Sequence, residues 1–140
     1  EFDAGVVIHD AQLTYADPGH DLLADIGEWW TNETGLPMPL GGNAVRRGLD
    51  ERFGDGTCAE VSRILRASIE HALEHREDGL AVAQRFSGET ASTTIDRFVS
   101  MYVNDLTIAA GERGKRAVAE FLSRGARLGL CPSVDRIDMV

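Results

Sequence analysis

The apolar positions of this chain change their period once. Up to Gly54 they come in short clusters, and after it they follow a helical stripe. The first cluster, Val6-Val7-Ile8, is short, apolar and β-branched, as a strand buried on both faces requires. A polar stretch over residues 10–21 follows and carries Pro18-Gly19, a turn signal. Leu22, Leu23 and Ile26 form a second short apolar stretch that leads into Gly27-Glu28-Trp29-Trp30. The run TGLPMPLGG at residues 34–42 places Pro37 and Pro39 at alternate positions. Proline has no N–H to give to a ladder, so this run is expected to be an extended edge or crossing segment, continued by residues 43–47.

Beyond Gly54, Val61, Ile64, Leu65, Ser68, Ile69, Ala72 and Leu73 recur at i, i+3 and i+4, the stripe of an amphipathic helix. Thr57 and Glu60 spell a T-x-x-E capping box at its start: the hydroxyl accepts the Glu60 amide and the carboxylate returns to the Thr57 amide. A shorter helix is expected over residues 78–86. A third runs over residues 92–103, with Ile95, Phe98, Val99 and Tyr102 on one side. A fourth covers residues 112–127, with Ala117, Val118, Phe121 and Leu122 inward, and stops near Gly129 with Pro132 beyond.

Strands first and then about four helices predict an α/β fold, cut from a larger protein whose other strands lie elsewhere. The chain opens without Met on an apolar run, which predicts that an N-terminal part is missing. There is no internal repeat.

Composition narrows the function classes. The chain has 140 residues, 43% hydrophobic, enough for one core, but only 6% aromatic, so that core must be mainly aliphatic. Its formal charge of −9 repels phosphate backbones and anionic lipid heads, so neither nucleic acid nor membrane is an expected partner. An acidic ligand would have to be held by local donors. No apolar run approaches the ~20 residues of a membrane span, and no charged-then-apolar leader suggests secretion. Cys58 and Cys131 lack metal-ligand spacing and read as reduced thiols of a cytoplasmic protein.

Candidate chemistry centres on His9, at the end of the first apolar run. In open α/β sheets ligands gather beyond the carboxyl ends of strands. Imidazole titrates near neutrality, which suits it to taking a proton there. By its residues alone the position reads first as a histidine bonded to neighbouring backbone with no catalytic role. Asp10 follows directly, although adjacent strand residues point to opposite faces. His71 and His75 stand at i, i+4, but Ala72 occupies the place of the glutamate in H-E-x-x-H, so they read as solvated surface and no metal is expected. His20 carries no pattern. Of Trp29-Trp30, one ring packs and the other caps a groove or stacks a ligand. Gly41-Gly42-Asn43 reads as a hinge, a close approach or a bulge. Arg46 or Arg47, on alternate faces, suits a carboxylate. Asn104 reads as a C-terminal helix cap or a ligand contact.

Three runs carry a resemblance. DAGVVIHDAQLTY at residues 3–15 is similar to a family stretch D/E-A-G-L-I-I-H-E-x-R-F-T-Y. DIGEWWTNETGLPMPLGGNAVRR at residues 25–47 is similar to D-L-G-x-W-W-E-x-x-T-G-L-P-L-P-L-G-x-x-x-x-R-R. YVNDLTIAAGERGKRAVAEFL at residues 102–122 is similar to Y-V-N-x-x-S/T-x-x-x-G-x-x-G-x-x-A-V-x-x-L/F. Their order and spacing agree along the chain, which resembles the C-terminal half of the 1,4-dihydroxy-6-naphthoate synthase family of the futalosine route to menaquinone. The W-W and T-G-L-P-x-P-L-G elements speak against the related chorismate dehydratase.

That resemblance implies a two-domain clamp like the periplasmic solute-binding proteins. Residues 1–38 would be the remainder of the second lobe, bearing the catalytic strand end. Residues 39–140 would be a crossing strand and C-terminal helices returning to the first lobe. It implies a lyase converting cyclic dehypoxanthine futalosine to 1,4-dihydroxy-6-naphthoate, with no metal or organic cofactor and His9 as general base. Asn43, Arg46 and Asn104 are the further substrate-binding candidates in this part of the chain. Asp10 departs from the usual Glu, and Gln12 stands where the family usually has arginine, which weakens this loop as a carboxylate anchor. The family's Ser/Thr-rich substrate loops belong to a half that this chain lacks, so the chain alone is expected to be inactive. The alternative reading is a solute-binding module that grips an aromatic acid without turnover.

Overall fold

A computed structural model describes residues 2–16, 19–86 and 92–139. Among them the architecture is helical: a 3-10 turn at His9–Leu13, then α1 (Ile26–Thr34), α2 (Leu49–Phe53), α3 (Thr57–Glu74), α4 (Arg76–Gln84), α5 (Ser92–Tyr102), α6 (Asp105–Ile108) and α7 (Gly111–Arg127). The helical half of the expectation locates four of these elements, α3, α4, α5 and α7. Pro18 lies outside the described residues.

The α/β expectation is overturned. No strand forms among the described residues, and neither an α/β fold with strands first nor a solute-binding clamp is seen. Ile8 does take an extended backbone, φ −132° and ψ 173°. Yet Val6, Val7 and Ile8 remain 79%, 50% and 62% exposed. β-branching selects the extended conformation of one segment, whereas a strand also needs a neighbour to take its N–H and C=O groups. Residues 37–46 are likewise without helix, as their prolines dictate, and also without a ladder.

Three helices lie outside the helical expectation, α1, α2 and α6, and all are short. At α1, the Asp25 carboxylate accepts the Glu28 amide at 2.9 Å, and Gly35 closes the other end at φ 67°, its N–H on the Thr31 carbonyl. The T-x-x-E box at α3 does not form. The Thr57 hydroxyl donates instead to the Gly54 carbonyl at 2.7 Å, and Glu60 takes two bonds from Arg63. The α3 cap comes from α2: the Asp50 carboxylate accepts the Cys58 amide at 2.8 Å, which holds Asp50 below the usual carboxylate range.

Packing divides the molecule. One group joins α2, α3, α4, α5 and α6, with the His9–Leu13 turn packed on α5. Arg76 ties α4 to α5 through Asp96 and Ser100. In the other contact Trp30 of α1 meets Phe121 of α7 edge-on, centroids 5.6 Å apart, beneath the Arg124 guanidinium. The apolar residues buried among those described are Trp30, Leu36, Ile95 and Ala117.

Candidate active site

His9 occupies the junction between the exposed apolar segment and the 3-10 turn. Its φ of 58° is the one left-handed value among the described non-glycine residues. Histidine is among the side chains that enter this region more readily than most. Holding it there costs about 1–3 kcal/mol and needs surrounding restraint. The restraint is visible: the Gln12 amide nitrogen donates to the His9 carbonyl at 2.7 Å and to the Tyr102 hydroxyl at 2.7 Å. The His9 side chain itself is exposed. The turn therefore fixes the backbone of His9 and leaves its imidazole in solvent, free to meet a ligand.

Tyr102 is anchored in its own right. Its ring lies 4.7 Å from that of Phe98, and its carbonyl accepts the Thr107 hydroxyl at 2.9 Å. Asn104 then starts α6 rather than ending α5: its side-chain oxygen accepts the Leu106 amide at 3.0 Å, while its own amide donates to Thr107. The C-terminal cap expected there is thus an N-terminal cap. Asn prefers that position because its short carbonyl reaches the orphan amides of a first turn. Its side-chain NH2 is left to donate elsewhere.

Asn43 and Arg46 stand apart from this cluster. Both are exposed on the connection before α2, and no hydrogen bond or ion pair among the described residues joins them to the His9 turn. Arg47 is committed elsewhere, pairing with Asp138 and donating to the Arg136 carbonyl at 3.0 Å. Of the arginine pair, Arg46 has the guanidinium that no carboxylate among the described residues pairs with.

The other candidates resolve plainly. Trp30 is 4% exposed and donates its indole N–H to the Pro37 carbonyl at 3.1 Å, whereas Trp29 is 53% exposed. The His71 and His75 rings stack at 4.1 Å, and a His75 ring nitrogen faces the His71 carbonyl at 3.0 Å. No cluster of three or more potential metal ligands occurs among the described residues. Cys58 and Cys131 form no disulfide, and burial, helped by Asp50, pushes the Cys58 thiol up. A groove of about 500 Å³ runs between α7 and residues 133–137, and one of about 560 Å³ lies between α1 and α7. Neither is lined by His9, Asn43, Arg46 or Asn104.

Gln12 and Tyr102 hold the His9 turn, yet neither stood among the candidate residues. Gln12 stood out only as a departure from a pattern, and Tyr102 only as part of an apolar stripe. The one available signal was Tyr102's place at the head of the Y-V-N run.

Residues 1–127 match a family model described as menaquinone biosynthesis. The chain belongs to that family. Among curated relatives, a 1,4-dihydroxy-6-naphthoate synthase of Thermus thermophilus is 35% identical over 130 residues, which is 93% of this chain and 46% of that protein. One of Streptomyces coelicolor is 36% identical over 132 residues, covering 94% and 45%. A crystal structure of an Archaeoglobus fulgidus protein matches with a TM-score of 0.78 at 34% identity, over 89% of this chain and 46% of that one. The chain spans about half the length of the curated relatives it matches. The family is the one to which the three runs pointed, and the first two each meet the third: the first touches it where Gln12 reaches Tyr102. The second touches the third where Trp30 reaches Phe121.

Proposed function

We propose that this chain serves the reaction for which its relatives are named, as part of a carbon–carbon lyase that releases 1,4-dihydroxy-6-naphthoate from cyclic dehypoxanthine futalosine. His9 is the general base. It takes a hydroxyl or carbon-bound proton, the carbon–carbon bond cleaves, the remaining carbons leave as a small dihydroxyketone fragment, and formation of the aromatic naphthalene ring draws the reaction forward. Asn43, Arg46 and Asn104 present donors to the substrate: the Asn104 side-chain NH2 two residues beyond Tyr102, and the Arg46 guanidinium for a carboxylate. The residues here account for a base and a few donors; orientation and exclusion of water require further walls. For that reason residues 1–140 alone are expected to be inactive.

The observation that carries this reading is the backbone of His9. A histidine fixed in a strained left-handed conformation, with an exposed ring, inside the D-A-G-V-V-I-H run, is restrained in the way a reacting group is restrained. The test is turnover of cyclic dehypoxanthine futalosine by the protein as encoded, followed by chromatography of the naphthoate product. His9→Ala is expected to lower kcat by about 10²–10⁴, the usual share of one positioned base. Undiminished turnover in that variant removes His9 from the mechanism. Tight binding of the substrate with no product in the wild-type protein favours a solute-binding module instead.

A further inference from the structure

We propose that Gln12 and Tyr102 form a positioning pair that sets the catalytic reach of His9; the inference rests on the reading of His9 as the base. A primary amide carries two protons, and Gln12 spends them in two directions, on the His9 carbonyl and on the Tyr102 hydroxyl, each at 2.7 Å. The first bond is local, three residues along the 3-10 turn, and a turn of this length has little rigidity of its own. The second bond crosses to α5, ninety residues later in the chain, and ties the turn to a helix.

The partner on α5 is a firm one. The ring of Tyr102 rests on Phe98, and its carbonyl is held by the Thr107 hydroxyl of the α6 cap. Restraint therefore passes from the α5–α6 junction through one hydroxyl and one amide to the carbonyl of the strained residue. The pair need not touch substrate. Its effect is on where the imidazole stands, and a displacement on the order of 1 Å at a reacting group costs about a hundredfold in rate.

The experiment compares His9→Ala, Tyr102→Phe, Gln12→Glu, Gln12→Ala and the double variant Gln12→Ala/Tyr102→Phe in the protein as encoded. Tyr102→Phe keeps the ring on Phe98 and removes the hydroxyl. Gln12→Glu keeps the shape and replaces the donor to the His9 carbonyl with an acceptor. Both are expected to lower kcat by about 10- to 100-fold, with KM within about twofold and the melting temperature unmoved. In Tyr102→Phe, which adds no charge near the imidazole, loss of a fixed base position lowers kcat at every pH without moving the inflections of the kcat–pH profile. The double variant is expected to be no slower than Gln12→Ala, because the two residues act through one path.

Wild-type kcat in Tyr102→Phe and Gln12→Glu, with His9→Ala inactive, overturns the pair and leaves His9 as the base. Multiplying losses in the double variant, or losses that follow a fall in melting temperature, also overturn it. Full activity in His9→Ala overturns both the base and the pair.

Discussion

Trp30 and His9 stand in the same half of the chain and are held in opposite ways. Trp30 is enclosed by packing: edge-on to Phe121, under Arg124, its indole N–H on the Pro37 carbonyl, its helix capped at both ends. His9 is enclosed by almost nothing, and one amide side chain keeps its backbone in place while apolar neighbours lie open to solvent. Both sit in the runs that identify the family, so the runs mix two kinds of residue. The W-W-x-x-x-T-G-L-P element is chiefly a packing device: its second tryptophan joins α1, residues 34–37 and α7. The V-V-I-H element leaves its histidine exposed.

The contrast is sharpest if each residue is removed. Trp30→Ala is expected to destabilise the protein by about 3–5 kcal/mol, the usual cost of losing a buried indole, read as a shift in the denaturant midpoint. His9→Ala should leave that midpoint nearly where it was, or raise it slightly by relieving the left-handed strain, while activity falls. A midpoint drop in His9→Ala as large as that in Trp30→Ala breaks the division between packed and presented residues. Trp30→Phe divides the first effect, because it keeps an aromatic near Phe121 and removes the N–H that secures Pro37.

A smaller loss is expected at Gly114, on the packed side of the comparison. A β-carbon there would stand 2.6 Å from that of Ala110, at the start of α7. The helix preference of alanine offsets about 1 kcal/mol of the strain. Overpacking of this kind costs about 1–3 kcal/mol, so Gly114→Ala is expected to lower the thermal midpoint modestly. No change would mean that the first turn of α7 yields without cost.

The same contrast explains what could be read from the residues. The helix stripes of α3, α5 and α7 were legible because apolar residues recur every turn on one helix face, although the α3 stripe stays partly open, with Ile64 53% and Leu65 40% exposed; the stop near Gly129 carries local chemistry. The helix α1 was obscured by its apolar lead-in, although Asp25, Glu28 and Gly35 mark both its ends. Strand formation at Val6–Ile8 could not be read, since pairing is a property of two segments and the pattern describes one. The cap of α3 misled for a related reason: Asp50, eight residues before Cys58, outcompeted the local box, and nothing in T-x-x-E announces such a rival. His9 is a candidate through its motif, while the bond from Gln12 to Tyr102 spans ninety positions and left no local trace.

That non-local cap supplies the smallest effect and the cleanest sign. Hydrogen bonding from the Cys58 amide, the largest cause, lowers the Asp50 carboxyl below its ordinary value in the folded chain. A depressed folded pKa means that the carboxylate adds stability at every pH above the unfolded value, near ~3.9. The contribution is lost as the pH falls from there through the folded value. Asp50→Asn keeps an oxygen for the Cys58 amide and removes the charge. The midpoint difference between wild type and Asp50→Asn should therefore be constant across neutral pH and shrink as the pH drops below about 4. Glu60 and Glu120, lowered by Arg63 and Arg124, titrate in both proteins and cancel in that difference. A difference that stays level from neutral pH down to strong acid would show that geometry, and no part of the charge, makes the α2 carboxylate a cap for α3.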